Sequence, residues 1–167
     1  TNFSAVCVRT TNLDPIAVTI IMVALDVVAA LVGVVFGGMM RRFRLSVKYF
    51  APTFFLLGYL CFATSPSLPS LLVGCLFIGI ANGIGVPYLN TIASIKAGQD
   101  AATTVMPLLS AALYAGQFLS PLVATPLAAK FFPDNVLGIY WIACAFSVLF
   151  LLEVFATRHS QALLPEE

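Results

Sequence analysis

Apolar residues run in five long stretches along the chain, each closed by charge, proline or a polar cluster. The first stretch runs from Pro15 to Met40 with a single charge, Asp26, and ends at Arg41, Arg42 and Arg44. The second, from Lys48 to Thr64, stops at the turn signal Ser65-Pro66-Ser67-Leu68-Pro69. A third spans Ser70 to Ile92 and gives way to the polar stretch from Ile95 to Asp100. The fourth covers Thr103 to Ala128, and Phe131-Phe132-Pro133-Asp134-Asn135 turns the chain into the fifth, Val136 to Ala156. A bilayer-crossing helix needs about 20 mostly apolar residues. In lipid every backbone N–H and C=O must be paired within its own segment, so runs this long predict helices. Barrel strands would be about half as long and alternate in polarity. The pattern therefore predicts an all-α membrane protein: five transmembrane helices between 15 and 156, an extracytoplasmic segment at 1–14 and a cytoplasmic tail at 157–167.

Composition agrees with the pattern and narrows the function. Of 167 residues, 60% are hydrophobic and 9% charged, with a mean hydropathy of +1.02. Soluble domains carry about 25% charged residues, so lipid must be the main solvent of this chain and the bilayer its first partner. A net charge of +1 offers no basic surface for phosphates, which argues against a nucleic-acid partner. Cys7, Cys61, Cys75 and Cys144 have no short paired spacing and read as small apolar packing residues rather than a disulfide or zinc framework. His159 stands alone in the tail, so no metal site is expected, and no phosphate loop or nucleophile set predicts an enzyme or a cofactor.

Lys and Arg set the orientation. Arg9 and Lys130 fall on one side, whereas Arg41, Arg42, Arg44, Lys48, Lys96 and Arg158 fall on the other, which should be cytoplasmic. The amino end then lies outside and the carboxyl end inside. Five helices entering from the outside, with no signal peptide at the start, read as the carboxyl-terminal piece of a larger polytopic protein whose amino-terminal half is missing here.

Asp26 is the sharpest chemical feature. A carboxylate at the centre of a span costs about 2.5–3.5 kcal/mol on insertion scales. It shares a helical face with Ala30, Gly33 and Gly37, small residues that allow close helix approach, so it should face protein or a watery cavity. Intramembrane acids are proton-coupling or substrate-binding candidates by default; the alternative is a hydrogen-bonded structural residue. The third stretch adds Asn82, Tyr88 and Asn90 beside Gly79, Gly83 and Pro87. Such a Gly- and Pro-weakened segment reads either as a substrate-pathway lining or as a close-packed crossing with Asn as interhelical glue. In the fourth, Ser110, Tyr114, Gln117 and Pro121 form one polar stripe, pointing to a cavity that takes a neutral solute or to a neighbouring helix. Glu153 reads as a residue reaching the headgroup region.

The run Gly79-Ile-Ala-Asn-Gly83-Ile-Gly85-Val-Pro87-Tyr-Leu-Asn90, with Tyr114-Ala-Gly116-Gln117-Phe-Leu-Ser-Pro121 after it, resembles the tenth and eleventh helices of the major facilitator superfamily. It is most similar to the branch that exports drugs and metabolites against protons. The resemblance implies that the five spans are helices eight to twelve, part of a six-helix half-bundle of a secondary transporter working by alternating access. A small organic solute and protons would be its cargo, by antiport across a bacterial cytoplasmic (inner) membrane. One departure is plain: where the family's cytoplasmic loop carries an Asp-Arg pair and a second Gly, this chain has Arg41, Arg42 and Arg44 after Gly37. No gating salt bridge is implied there, and these arginines serve topology. The rival reading is a small membrane scaffold or assembly subunit that uses its Gly and Ala faces only for packing.

Overall fold

The computed structural model describes residues 14–43, 46–65 and 67–156. The expected segment before Asp14, Arg44, Pro66 and the expected tail from 157 onward lie outside the described residues. Five helices dominate the rest: α1 Pro15–Phe43, α2 Val47–Thr64, α3 Leu68–Gly98, α4 Thr103–Phe131 and α5 Gly138–Ala156. No strand occurs among the described residues. Each helix is long and apolar enough to cross a membrane, and the chain fits an integral membrane protein.

Local chemistry sets the helix ends. Asp14 caps α1: its carboxylate accepts the Ile16 N–H at 3.3 Å and its carbonyl accepts the Val18 N–H at 3.1 Å. Pro15 follows at the first helical position, where its missing N–H costs nothing. Between α2 and α3, the Ser70 hydroxyl reaches back to donate to the Cys61 carbonyl at 2.7 Å. The helical path does not stop where the apolar run of α3 ends at Ile92; it continues through Lys96 and is broken at Gly98, whose φ of 69° and ψ of 178° leave the helical region. Only glycine takes that φ without a steric penalty. Between α4 and α5, the Asn135 side chain accepts the Leu137 N–H at 2.9 Å, and Gly138 sits hard against the Phe132 ring.

Packing follows the glycines. Among apolar helices in lipid, the hydrophobic effect gives little drive for association, so close van der Waals contact decides which faces meet. A Cβ placed on Gly79 would meet the Leu25 carbonyl at 2.9 Å, and one on Gly83 would strike the Ala29 carbonyl and the Val32 side chain. Both contacts advance together along the chain, so α1 and α3 run parallel with their backbones touching. The α1 side of this seam is Val18, Ile21, Leu25, Val28, Val32 and Phe36, spaced by three and four.

On its other side α3 meets α2 in the opposite sense: Gly85 lies against Ala51, Gly58 against Ile78, and Gly74 against Phe62. Helix α5 then packs along α2, with Phe62 and Tyr140 rings 5.1 Å apart at one end and Tyr49 and Phe155 rings 4.7 Å apart at the other. The main contacts thus link α1 to α3, α3 to α2 and α2 to α5, while α1 and α2, consecutive in sequence, barely touch. Two apolar cores result, one around Val18, Phe62, Leu71, Ile78 and Tyr140 and one around Phe36, Val47, Ala51 and Ile84. Cys75 and Cys144 are buried in the first, neither of them in a disulfide.

Helix α4 is different. It leaves the end of α3 beside Lys96 and returns to the start of α5 at the opposite end, yet none of its residues is buried.

Candidate functional site

The seam of α1 leaves Asp26 on the open side. Leu25 packs against α3, but Asp26, one residue and about 100° further round the helix, is exposed together with Val23, Val27 and Ala30. No hydrogen bond or ion pair reaches its carboxylate among the described residues. Asp26 lies eleven residues from Pro15 along a 29-residue helix, or about 17 Å from its start at 1.5 Å per residue. The expected role of its face is corrected. Ala30 and Gly37 are exposed with Asp26, and nothing lies within 4 Å of a Cβ built on Gly37. Gly33 is half-buried, 3.8 Å from the Gly83 carbonyl. The small residues that permit close approach are those of α3, and the stripe they receive from α1 is apolar. A carboxylate in that seam would lose its hydration without gaining a partner.

Helix α3 corrects a second expectation. It is not interrupted around Gly79, Gly83 and Pro87; helical geometry continues to the break at Gly98. The two glycines serve as the contact surface for α1, which is the close-packed alternative. Asn82 is half-buried beside this seam, and the parallel register puts it about one helical turn further along the pair than Asp26. Tyr88 lies further along and packs its ring on the Phe36–Val47–Ala51–Ile84 core, while Asn90 is exposed.

Ser110, Tyr114 and Gln117 on α4 are all exposed, Tyr114 at 70%. The expectation that this stripe turns toward a neighbouring helix does not hold within the described residues, where no element covers it. The site residues therefore fall into two groups. Asp26 and Asn82 stand about one turn apart on adjacent helices, and the α4 stripe lies on a helix without buried residues.

Arg41 and Arg42 are exposed in the last turn of α1, where they also complement the negative end of the helix dipole. Glu153 is exposed near the same end of the bundle. Lys48 differs from its sequence reading as a simple topology charge: it is buried, with its ammonium 5.1 Å from the centre of the Tyr49 ring. The signal available was its position between Val47 and the aromatic pair Tyr49-Phe50, which lets an aliphatic stem lie along apolar surface. Among the described residues no group of three or more His, Cys, Asp or Glu could hold a metal ion.

Comparison with protein-family models, with curated proteins and with solved structures gives no match.

Proposed function

We propose that these helices are part of a secondary active transporter that moves a small organic solute by alternating access, with proton-coupled efflux as its direction. The observation that carries this reading is Asp26: a carboxylate midway along its helix, outside the apolar seam, on a face that the other described residues leave open. A charge kept at that cost is accounted for by a watery or protein-lined cavity in which it exchanges a proton. The open polar stripe of α4 supports the same reading, since Ser110, Tyr114 and Gln117 offer uncharged donors and acceptors to a solute. An opposing transporter half would complete both surfaces. The basic end, with Arg41, Arg42 and Lys96, would lie on the cytoplasmic side of a bacterial inner membrane.

The test is solute-dependent proton flux, read with a pH-sensitive dye in membrane vesicles from cells expressing the protein and challenged with a panel of neutral and weakly basic organic solutes. Asp26→Asn should abolish the coupled flux and Asp26→Glu should restore part of it. Unchanged flux in Asp26→Asn would remove the residue from the mechanism.

The use of Gly79 and Gly83 purely as a packing surface favours a second reading, a non-transporting scaffold. Such a protein would give no solute-dependent proton flux and would keep its assembly function in both Asp26→Asn and Gln117→Ala.

A further inference from the structure

Asp26 lacks a partner that the described helices can supply. It lies about 17 Å from the start of α1 and about 25 Å from its end at Phe43, at 1.5 Å per residue. A side chain with a single methylene cannot carry its carboxylate to either end of a span, as the stem of a Lys or Arg carries a cation. The described cations Arg41, Arg42, Lys48, Lys96 and Lys130 all stand near helix ends. Arg41, the nearest of them along α1, is about 22 Å away on the same scale.

The flank that carries Asp26 leaves room for a close neighbour. Ala30, Gly33 and Gly37 follow Asp26 at intervals of four, three and four, one stripe along the helix, beside the seam rather than in it. Gly33 touches the edge of the seam, 3.8 Å from the Gly83 carbonyl, whereas nothing lies within 4 Å of a Cβ built on Gly37. Where α3 offers small residues four apart, at Gly79 and Gly83, α1 lies backbone to backbone against it. A further helix laid along the Asp26 stripe can come as near, close enough for one of its side chains to meet the carboxylate. An acyl chain or a wholly apolar helix in that place would strip the water from Asp26 and return no partner. A second copy paired through this flank would set Asp26 against Asp26, and like charges repel. The complementary occupant is a helix with a cation midway along it.

We propose that the Asp26–Ala30–Gly33–Gly37 flank of α1 docks a transmembrane helix from outside these 167 residues, one that carries a Lys or Arg midway along its length, ion-paired with Asp26. The pair is the deprotonated state of the carboxylate assigned above to proton exchange, but the proposal does not rest on transport, since a scaffold would use the same surface for assembly. Strong polar contacts between helices in lipid change association by about tenfold, which sets the preference expected for a basic helix over an apolar one.

The test reconstitutes the full chain in phosphatidylcholine vesicles with synthetic Leu/Ala helices about 20 residues long, identical except for a central Lys, Gln, Glu or Leu. Association is read by energy transfer from a donor on the amino terminus of the chain to an acceptor on the helix. The Lys helix should bind about tenfold more tightly than the Leu helix. Asp26→Asn should remove that preference, and Asp26→Lys should pass it to the Glu helix. Gly37→Phe should weaken binding of the Lys helix with the carboxylate intact, since the ring would stand on this flank where Gly37 leaves open space, and Glu153→Gln should leave binding unchanged. Circular dichroism checks that each variant remains helical; if Asp26→Lys does not, Asp26→Asn and Gly37→Phe decide. Equal binding of the Lys and Leu helices overturns the proposal, as does a preference that survives Asp26→Asn or falls equally in Glu153→Gln. A Gln helix that binds as tightly as the Lys helix would make the contact an uncharged hydrogen bond and overturn the cation. Unchanged binding in Gly37→Phe would move the helix off this flank and overturn the docking site. No solute or proton moves in this assay, so its failure and a failure of the transport reading are told apart.

Discussion

Adding one methyl group at Gly83 should separate α1 from α3. A Cβ there would overlap the Ala29 carbonyl and lie 2.7 Å from Val32 Cβ and 3.0 Å from its Cγ1. The obstructing atoms are backbone and the root of a β-branched side chain, neither of which can swing away, so the helices must move apart. Overpacking of this kind costs about 1–3 kcal/mol, partly offset by about 1 kcal/mol of helix propensity gained on replacing Gly by Ala. The net expectation for Gly83→Ala is a loss of up to about 2 kcal/mol. Gly37→Ala supplies the control: it has the same chemistry on the same pair of helices but nothing within 4 Å, so only the propensity gain remains. Gly79→Ala falls between, with its nearest backbone contact at 2.9 Å. Reversible unfolding of the purified chain in mixed micelles, followed by circular dichroism as denaturing detergent is raised, would rank the three. If Gly83→Ala proved as stable as Gly37→Ala, the parallel α1–α3 seam would be wrong.

Gly98→Ala should destabilise by about 1–3 kcal/mol in the same unfolding assay although nothing crowds the site, because its φ of 69° with ψ of 178° is a backbone region open essentially to glycine alone; Gly98→Asn should recover none of the loss. Asp14→Ala removes the cap of α1 and should cost about 1 kcal/mol, seen as faster amide exchange over the first turn of that helix. Ser110→Ala with Gln117→Ala should change stability by less than about 0.5 kcal/mol, since both side chains are exposed, while lowering solute-dependent flux; a large loss of stability would mean that α4 is covered in the folded protein.

Helix positions were legible because each apolar run has a definite length and the chain marks its ends with residues that act locally. Asp14-Pro15 opens α1 and Ser65 follows the last residue of α2, each at the expected place. The end of α3 was read six residues early, at Ile92. Polar residues at a membrane surface do not stop a helix, and it took the positive φ of Gly98 to do so. Which face of each helix meets another was not legible. In water, polar residues mark the outside of a helix, but α1 is apolar almost all round, and the stripe through Asp26, Gly33 and Gly37 has the same period as the seam through Leu25 and Val32. Only the partner resolves them, and the partner's signal was Gly79 and Gly83, four residues apart on a different span. The candidate site shares this fate: residue types in mid-span suggested chemistry, whereas their exposure depended on which neighbours α1 and α4 gain or lack.

Helix α3 stands between two helices that precede it in the chain, and this bears on how the protein is made. As α1 and α2 enter the membrane they have almost nothing to offer each other, since their packing surfaces both await glycines not yet synthesised. Halted after Thr64, α1 and α2 would not be joined to each other in a stable hairpin. The arrival of Gly74, Gly79 and Gly83 joins the two in one step, so their association has a single commitment point set by α3.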